Sequence, residues 1–77
     1  MPRRGSVLMT EPLPILVENS LQIAWDFLDA SGEIEDPQQT AEVLLGAIKT
    51  LLLRGENRRL MLSNRAIDAF REFKQTA

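Results

Sequence analysis

The chain contains no cysteine, no histidine and no tyrosine. Without cysteine it forms no disulfide, and without cysteine or histidine it lacks the ligands of the usual zinc sites. These absences also remove the side chains that most often act as general base, nucleophile or proton shuttle. Its four glycines are isolated and form no phosphate-binding loop of the GxGxxG or GxxxxGK[ST] type. The sequence therefore predicts no catalytic site, no metal site and no cofactor, and it favours a protein that is not an enzyme.

Long apolar runs are also missing. Behind Arg3 and Arg4 the apolar run covers only residues 7–9, whereas a secretory signal needs about 7 to 15 apolar residues. No stretch approaches the roughly 20 apolar residues of a membrane span. Together with the lack of cysteine, which suits a reducing compartment, these observations predict a cytoplasmic protein without membrane contact.

Helical periodicity is the strongest pattern that the sequence does contain. Apolar side chains recur every three or four residues in three segments, which predict an all-α domain with helices at about 13–31, 37–54 and 63–75. The short connection between the first two predicts an antiparallel helical hairpin, closed by the third helix. Residues 1–12 lack this period and are predicted to form a mobile tail before a single domain, 13–77.

The ends of the predicted helices carry start and stop signals. Prolines fit a first helical turn, an acid before proline fits an N-cap, and glycines fit the position after a last turn. The residues concerned are Pro12, Pro14, Gly32, Asp36, Pro37 and Gly55. Ser63 is predicted as the N-cap of the third helix. Residues 56–62 then form either a loop that crosses the core or an earlier helical turn.

The apolar faces of the first two helices are wider than a small monomer needs. Each covers a sector of about 200° on a helical wheel, against the roughly 100° that suffices for a surface helix. Excess apolar surface of this kind usually marks a contact with another protein. We therefore predict a protein-interaction or regulatory module that forms a homodimer through helices 1 and 2, and a heterologous protein partner fits the same surface. The candidate contacts are Ile15, Ile23, Trp25, Gly46 and Leu53.

The charges are divided unevenly along the chain. Residues 11–42 carry eight acidic side chains and no basic one, whereas residues 43–77 carry seven basic against three acidic. This division predicts either complementarity within the chain or a polar partner. The alternative function is DNA or RNA binding by a small regulator through Arg54, Arg58, Arg59, Arg65, Arg71 and Lys74. A sequence pI of about 5.0 argues against it, so we expect nucleic-acid binding to be weak or undetectable at physiological salt.

One short segment resembles the middle of an EF-hand calcium loop. Residues 29–34 place an acid, a small oxygen donor, a glycine and an isoleucine in similar positions. The first acidic ligand of that family is replaced here by Phe27, and its closing bidentate glutamate by Gln38. Too few oxygen ligands remain, so we predict a capped helical turn at this point and no bound calcium.

Overall fold

The computed structural model describes residues 12–76, and within that range it contains three α-helices and no strand. Helix α1 is Leu13–Ala30, α2 is Pro37–Leu53 and α3 is Arg59–Thr76. Each helix contacts the other two, which confirms the predicted all-α domain of an α1–α2 hairpin closed by α3. None of these helices is long and apolar enough to cross a membrane. The predicted tail falls almost entirely on residues 1–11, which lie outside the described residues.

A glycine with positive φ lies two residues after the last helical residue of both α1 and α2. The φ angle is 71° at Gly32 and 98° at Gly55, a region that costs little for a residue without Cβ. The residue after each glycine donates its N–H to a carbonyl five residues earlier, as Glu33 does to Leu28 at 2.9 Å. These bonds satisfy carbonyls that the end of a helix leaves without partners. The predicted glycine stops are therefore confirmed.

Helix α2 begins at the predicted acid and proline. The Asp36 carboxylate accepts a hydrogen bond from the Gln39 N–H at 3.1 Å, and Pro37 is the first helical residue. The hydroxyl of Thr40, which is buried, donates to the Asp36 carbonyl at 2.9 Å. Asp36 therefore satisfies a backbone donor that the first turn leaves free and fixes where the helix starts.

The predicted start of the third helix at Ser63 is wrong by about one turn, because α3 begins at Arg59. Ser63 is fully buried, and its hydroxyl donates to the Arg59 carbonyl at 2.7 Å, which is a bond made inside a helix and not at an N-cap. Leu62 lies one turn before Ala66 and is buried with it. Burial of Leu62 thus extends the apolar stripe of α3 by one turn towards the N-terminus. Residues 59–62 of the segment 56–62 are therefore a helical turn.

The core lies where the three helices meet, and it contains nine buried apolar side chains. They are Leu16, Ala24, Leu28, Leu44, Ile48, Leu62, Ala66, Ile67 and Phe70. Along α1 the buried positions recur every four residues, and Ser20 occupies one of them. This stripe is narrower than the apolar sector of α1, so Leu13 and Phe27 are exposed although the helical wheel groups them with the core.

Candidate interaction surface

The outer face of α2 holds two of the predicted contact residues, Gly46 and Leu53. They are seven residues apart, which is close to two helical turns, so they lie on the same side of the helix. Leu53 is 89% exposed, more than any other large apolar side chain among the described residues. A Cβ placed on Gly46 would meet nothing within 4 Å. The rest of the domain therefore leaves this face uncovered.

The three predicted contacts on α1 do not join this face. Trp25 is half-buried, packs against the core and lies beside Ala41 of α2. Ile23 is two residues before Trp25 and so lies about 160° away around α1. Ile15 is exposed in the first turn of α1. The structure brings two of the five predicted contacts together and leaves the other three on separate parts of α1.

A groove of about 720 Å³ runs between α2 and α3, beside the outer face of α2. Its half-buried lining includes Val43 and Ala47 of α2 and Ala69 of α3, and Gly46 lies on its α2 edge. Small side chains on both helices keep the groove open to solvent. Exposed charged side chains also line it, namely Glu42, Arg54, Arg65, Asp68 and Glu72.

Sequence reasoning misses the contribution of α3 to this groove. Ala69 belongs to the apolar stripe of α3 and is therefore assigned to the core, whereas the structure places it at the edge of the core, in the wall of the groove. A signal does exist on α2, where Glu42, Gly46, Thr50 and Arg54 recur every four residues. That spacing places an acid, a glycine, a hydroxyl and a base in one row.

The junction between α2 and α3 holds four of the six basic residues considered for nucleic-acid binding, which are Arg54, Arg58, Arg59 and Arg65. The Arg58 guanidinium donates to both carboxylate oxygens of Glu56, at 3.0 and 3.2 Å, and the Arg58 N–H adds a third bond at 3.0 Å. These bonds hold the pKa of Glu56 below its usual value. Arg54 and Arg65 line the groove, together with acidic side chains. The junction is therefore of mixed charge.

The other two basic residues, Arg71 and Lys74, lie near the C-terminal end of α3 and pair with acids of the α1–α2 connection. The Arg71 guanidinium donates to both oxygens of Glu33 at 2.8 and 3.1 Å and lies 5.3 Å from the centre of the Phe27 ring. The hydrogen bond from Arg71 lowers the pKa of Glu33. Lys74 lies 3.2 Å from a carboxylate oxygen of Glu35. Here the predicted complementarity between the acidic and basic segments is present within the chain.

Known proteins do not identify this surface. No family model matches the chain. No curated protein and no solved structure matches it significantly either. Function must be inferred from the surface itself.

The segment that resembles part of an EF-hand loop forms a helix end. The Ser31 hydroxyl donates to the Phe27 carbonyl at 2.9 Å, and the carboxylates of Glu33 and Glu35 pair with basic residues of α3. Between residues 12 and 76 no group of three or more acidic side chains is arranged to hold a metal ion. The predicted capped turn is confirmed.

Proposed function

We propose that this protein is a non-enzymatic interaction module, an adaptor or a regulatory subunit, that works as a homodimer with the outer face of α2 as its principal contact. The observation that carries the proposal is the pair formed by Leu53, 89% exposed, and the uncovered Gly46 on one side of one helix. A small domain gains stability by covering a large apolar side chain that is this exposed. The α1 candidates, Ile15, Ile23 and Trp25, have a secondary role in this proposal.

Binding is favoured over catalysis by the state of the ionisable groups. The two carboxylates with lowered pKa values, Glu33 and Glu56, are each held by an arginine at the surface. A lowered pKa weakens a carboxylate as a general base, and both groups are already occupied by hydrogen bonds. The sequence has no histidine, cysteine or tyrosine, so the side chains that remain support binding of a partner and not catalysis.

A protein partner is favoured over nucleic acid by the way the basic residues are engaged. Arg58, Arg71 and Lys74 pair with acids of the same chain. A phosphate backbone laid along the groove would also meet acidic side chains there, including Glu42 and Glu72, and like charges oppose binding. A heterologous protein partner would use the same α2 face as the second copy. The lack of cysteine in the sequence supports the proposal of a cytoplasmic protein.

Sedimentation velocity across a concentration series tests this proposal, with Leu53→Glu and Leu60→Glu as matched variants. Both leucines are exposed, lie at the same end of the bundle and do not line the groove, but Leu53 lies on the outer face of α2 whereas Leu60 belongs to α3. We expect the wild-type chain to dimerise at micromolar concentration. Leu53→Glu should weaken the dimer at least about tenfold, because it places a charge in an apolar contact.

Two results would contradict the proposal. A wild-type chain that stays monomeric throughout the series rules out the homodimer. Equal effects of Leu53→Glu and Leu60→Glu rule out the outer face of α2 as the contact. Circular dichroism of each variant shows whether the helices are retained, and both substitutions are at exposed positions that the fold tolerates.

A further inference from the structure

Four of the five charged side chains along the α2–α3 groove are sorted by end, and the fifth, Asp68, lies on α3 between Arg65 and Glu72. Arg54, just after α2, and Arg65, in the second turn of α3, stand at the end where the two helices are connected. Glu42, in the second turn of α2, and Glu72, in the last turns of α3, stand at the opposite end. The two basic side chains therefore lie towards one end of the groove and two of its three acidic side chains towards the other, an arrangement that does not stabilise the single chain.

These four charges have no ion-pair partner within the described part of the chain. The ion pairs there join Glu56 to Arg58 next to the groove, and the α1–α2 connection to the far end of α3. These ion pairs leave the groove with a basic end and an acidic end. From Glu42 to Arg54 is twelve residues, about 18 Å along a helix. That exceeds a Debye length of about 8 to 10 Å, so each end acts as a separate charged site.

We propose that a second copy of the chain docks groove to groove, related by a two-fold axis that crosses the groove near Ala47 and Ala69. This inference rests on the proposed homodimer and specifies its geometry. A two-fold axis perpendicular to the groove reverses its direction, so the Arg54 and Arg65 end of one copy faces the Glu42 and Glu72 end of the other. Both ends are then neutralised at once.

The centre of the groove suits such an axis. The midpoint between Glu42 and Arg54 falls at residue 48 of α2, and that between Arg65 and Glu72 falls between residues 68 and 69 of α3. Both midpoints lie next to alanines of the groove wall, with Gly46 on its edge. Gly46, Ala47 and Ala69 let two pairs of helices approach closely at this level, where Asp68 is the one charged side chain of the lining. The Asp68 carboxylates of the two copies then lie near the axis, and Leu53 lies on the α2 face that borders the groove. An isologous contact of this kind requires a self-complementary surface.

A second copy fits this surface better than the other occupants. A polyanion matches the basic end and is repelled by the acidic end. A helix of uniform charge satisfies one end and opposes the other. A copy of this chain carries the complementary pattern at the required spacing because it is the same surface in reverse.

The experiment measures dimer dissociation constants for two double variants, separately and mixed. The acid-end variant is Glu42→Arg with Glu72→Arg, and the base-end variant is Arg54→Glu with Arg65→Glu; all four positions are exposed. Each variant alone should dimerise at least about tenfold more weakly than wild type, because like charges then meet at the contact. Mixed in equal amounts, they should form a heterodimer with near wild-type affinity, since one groove is then basic and the other acidic.

Two further variants distinguish an effect on the groove contact from a general effect of the charge change. Asp26→Arg with Asp29→Arg makes an equal charge change on the exposed side of α1, and it should leave the dimer within about twofold of wild type. Gly46→Gln places a long side chain at the groove edge and should weaken the dimer at least about tenfold. Because glutamine favours a helix more than glycine does, this variant should also retain its helical circular dichroism.

Each alternative outcome has a definite meaning. A wild-type monomer removes both the homodimer and this inference. A wild-type dimer that neither double variant weakens overturns the groove contact and leaves the proposed function standing. Two weakened variants whose mixture forms no heterodimer overturn the two-fold pairing of the ends. Tight binding of a labelled DNA duplex, lost only in the base-end variant, overturns the second copy as the occupant.

Discussion

Two buried serines provide a sensitive test of the core. Ser20 and Ser63 are both fully buried within helices. The Ser63 hydroxyl donates to the Arg59 carbonyl at 2.7 Å, whereas the Ser20 hydroxyl has no hydrogen-bond partner in the described part of the chain. Replacing each serine with alanine removes the same hydroxyl group from a buried helical position. The two variants therefore differ only in whether that hydroxyl makes a hydrogen bond.

The expected magnitudes follow from that difference. Removing a buried hydroxyl without a partner relieves a desolvation cost of about 1 to 3 kcal/mol. The small void left behind cancels part of this gain, so we expect Ser20→Ala to raise the free energy of unfolding by about 1 kcal/mol or slightly more. Ser63→Ala loses a hydrogen bond that contributes about 0.5 to 1.5 kcal/mol. The gain in helix propensity is common to both substitutions and cancels in their comparison.

Thermal unfolding of the two variants and the wild type checks this reasoning. For a domain of this size, about 1 kcal/mol shifts Tm by roughly 4 to 8 °C, so Ser20→Ala should melt several degrees above wild type and Ser63→Ala at or below it. All samples need one low protein concentration, because the proposed dimerisation would add a concentration-dependent gain in stability. If Ser20→Ala melts no higher than Ser63→Ala, the unsatisfied hydroxyl does not limit stability.

Two further predictions concern a pair of glycines and one ion pair. At low protein concentration, Gly46→Ala should stabilise the chain by up to about 1 kcal/mol because the site is helical and open. Gly55→Ala should destabilise the chain by about 1 to 2 kcal/mol because φ is 98° there. The two variants should shift the urea midpoint in opposite directions, and a stabilising Gly55→Ala would refute this reasoning. The hydrogen bond from Arg71 lowers the pKa of Glu33 below the ordinary 4.5. The Glu33–Arg71 ion pair therefore stabilises the fold fully above pH 4.5, and this stabilisation is lost as the pH falls through the pKa of Glu33 in the folded state. Glu33→Gln should therefore lose up to about 1 kcal/mol at pH 7 and show a shallower fall in stability on acidification, and an unchanged acid profile would refute the assignment.

The ends of α1 and α2 were within reach of sequence reasoning because their signals are local. Gly32, Gly55 and the Asp36–Pro37 pair act through bonds to residues within five positions, so the chain itself specifies them. The start of α3 depends instead on Leu62, whose burial is decided by the other helices. Ser63 resembles an N-cap in the sequence, but the burial of Leu62 against the other helices starts α3 one turn earlier, at Arg59.

Surface residues are harder to predict from sequence than core residues. A helical wheel predicts Gly46 and Leu53 as contacts because they lie at or beyond the edge of an apolar sector. Trp25 lies within such a sector and is predicted because large apolar side chains dominate contacts. Which edge faces a neighbouring helix depends on how the bundle closes, and α1 turns Trp25 towards α2. Gly46 and Leu53 stay together because they lie on one helix, seven residues apart. Periodicity therefore predicts neighbours within a helix, but it does not predict which faces of different helices meet.

The uneven distribution of charge has two consequences in the folded chain. Between the α1–α2 connection and the end of α3, opposite charges meet as Glu33–Arg71 and Glu35–Lys74 and help to orient α3 against the hairpin. Along the α2–α3 groove the same antiparallel packing places Arg54 and Arg65 towards one end and Glu42 and Glu72 towards the other. Exposed charges contribute little to the stability of a fold, so this groove pattern is not needed to hold the bundle together. In the homodimer that we propose, this pattern serves to recognise a surface with the reverse polarity, which a two-fold copy of the same groove would provide.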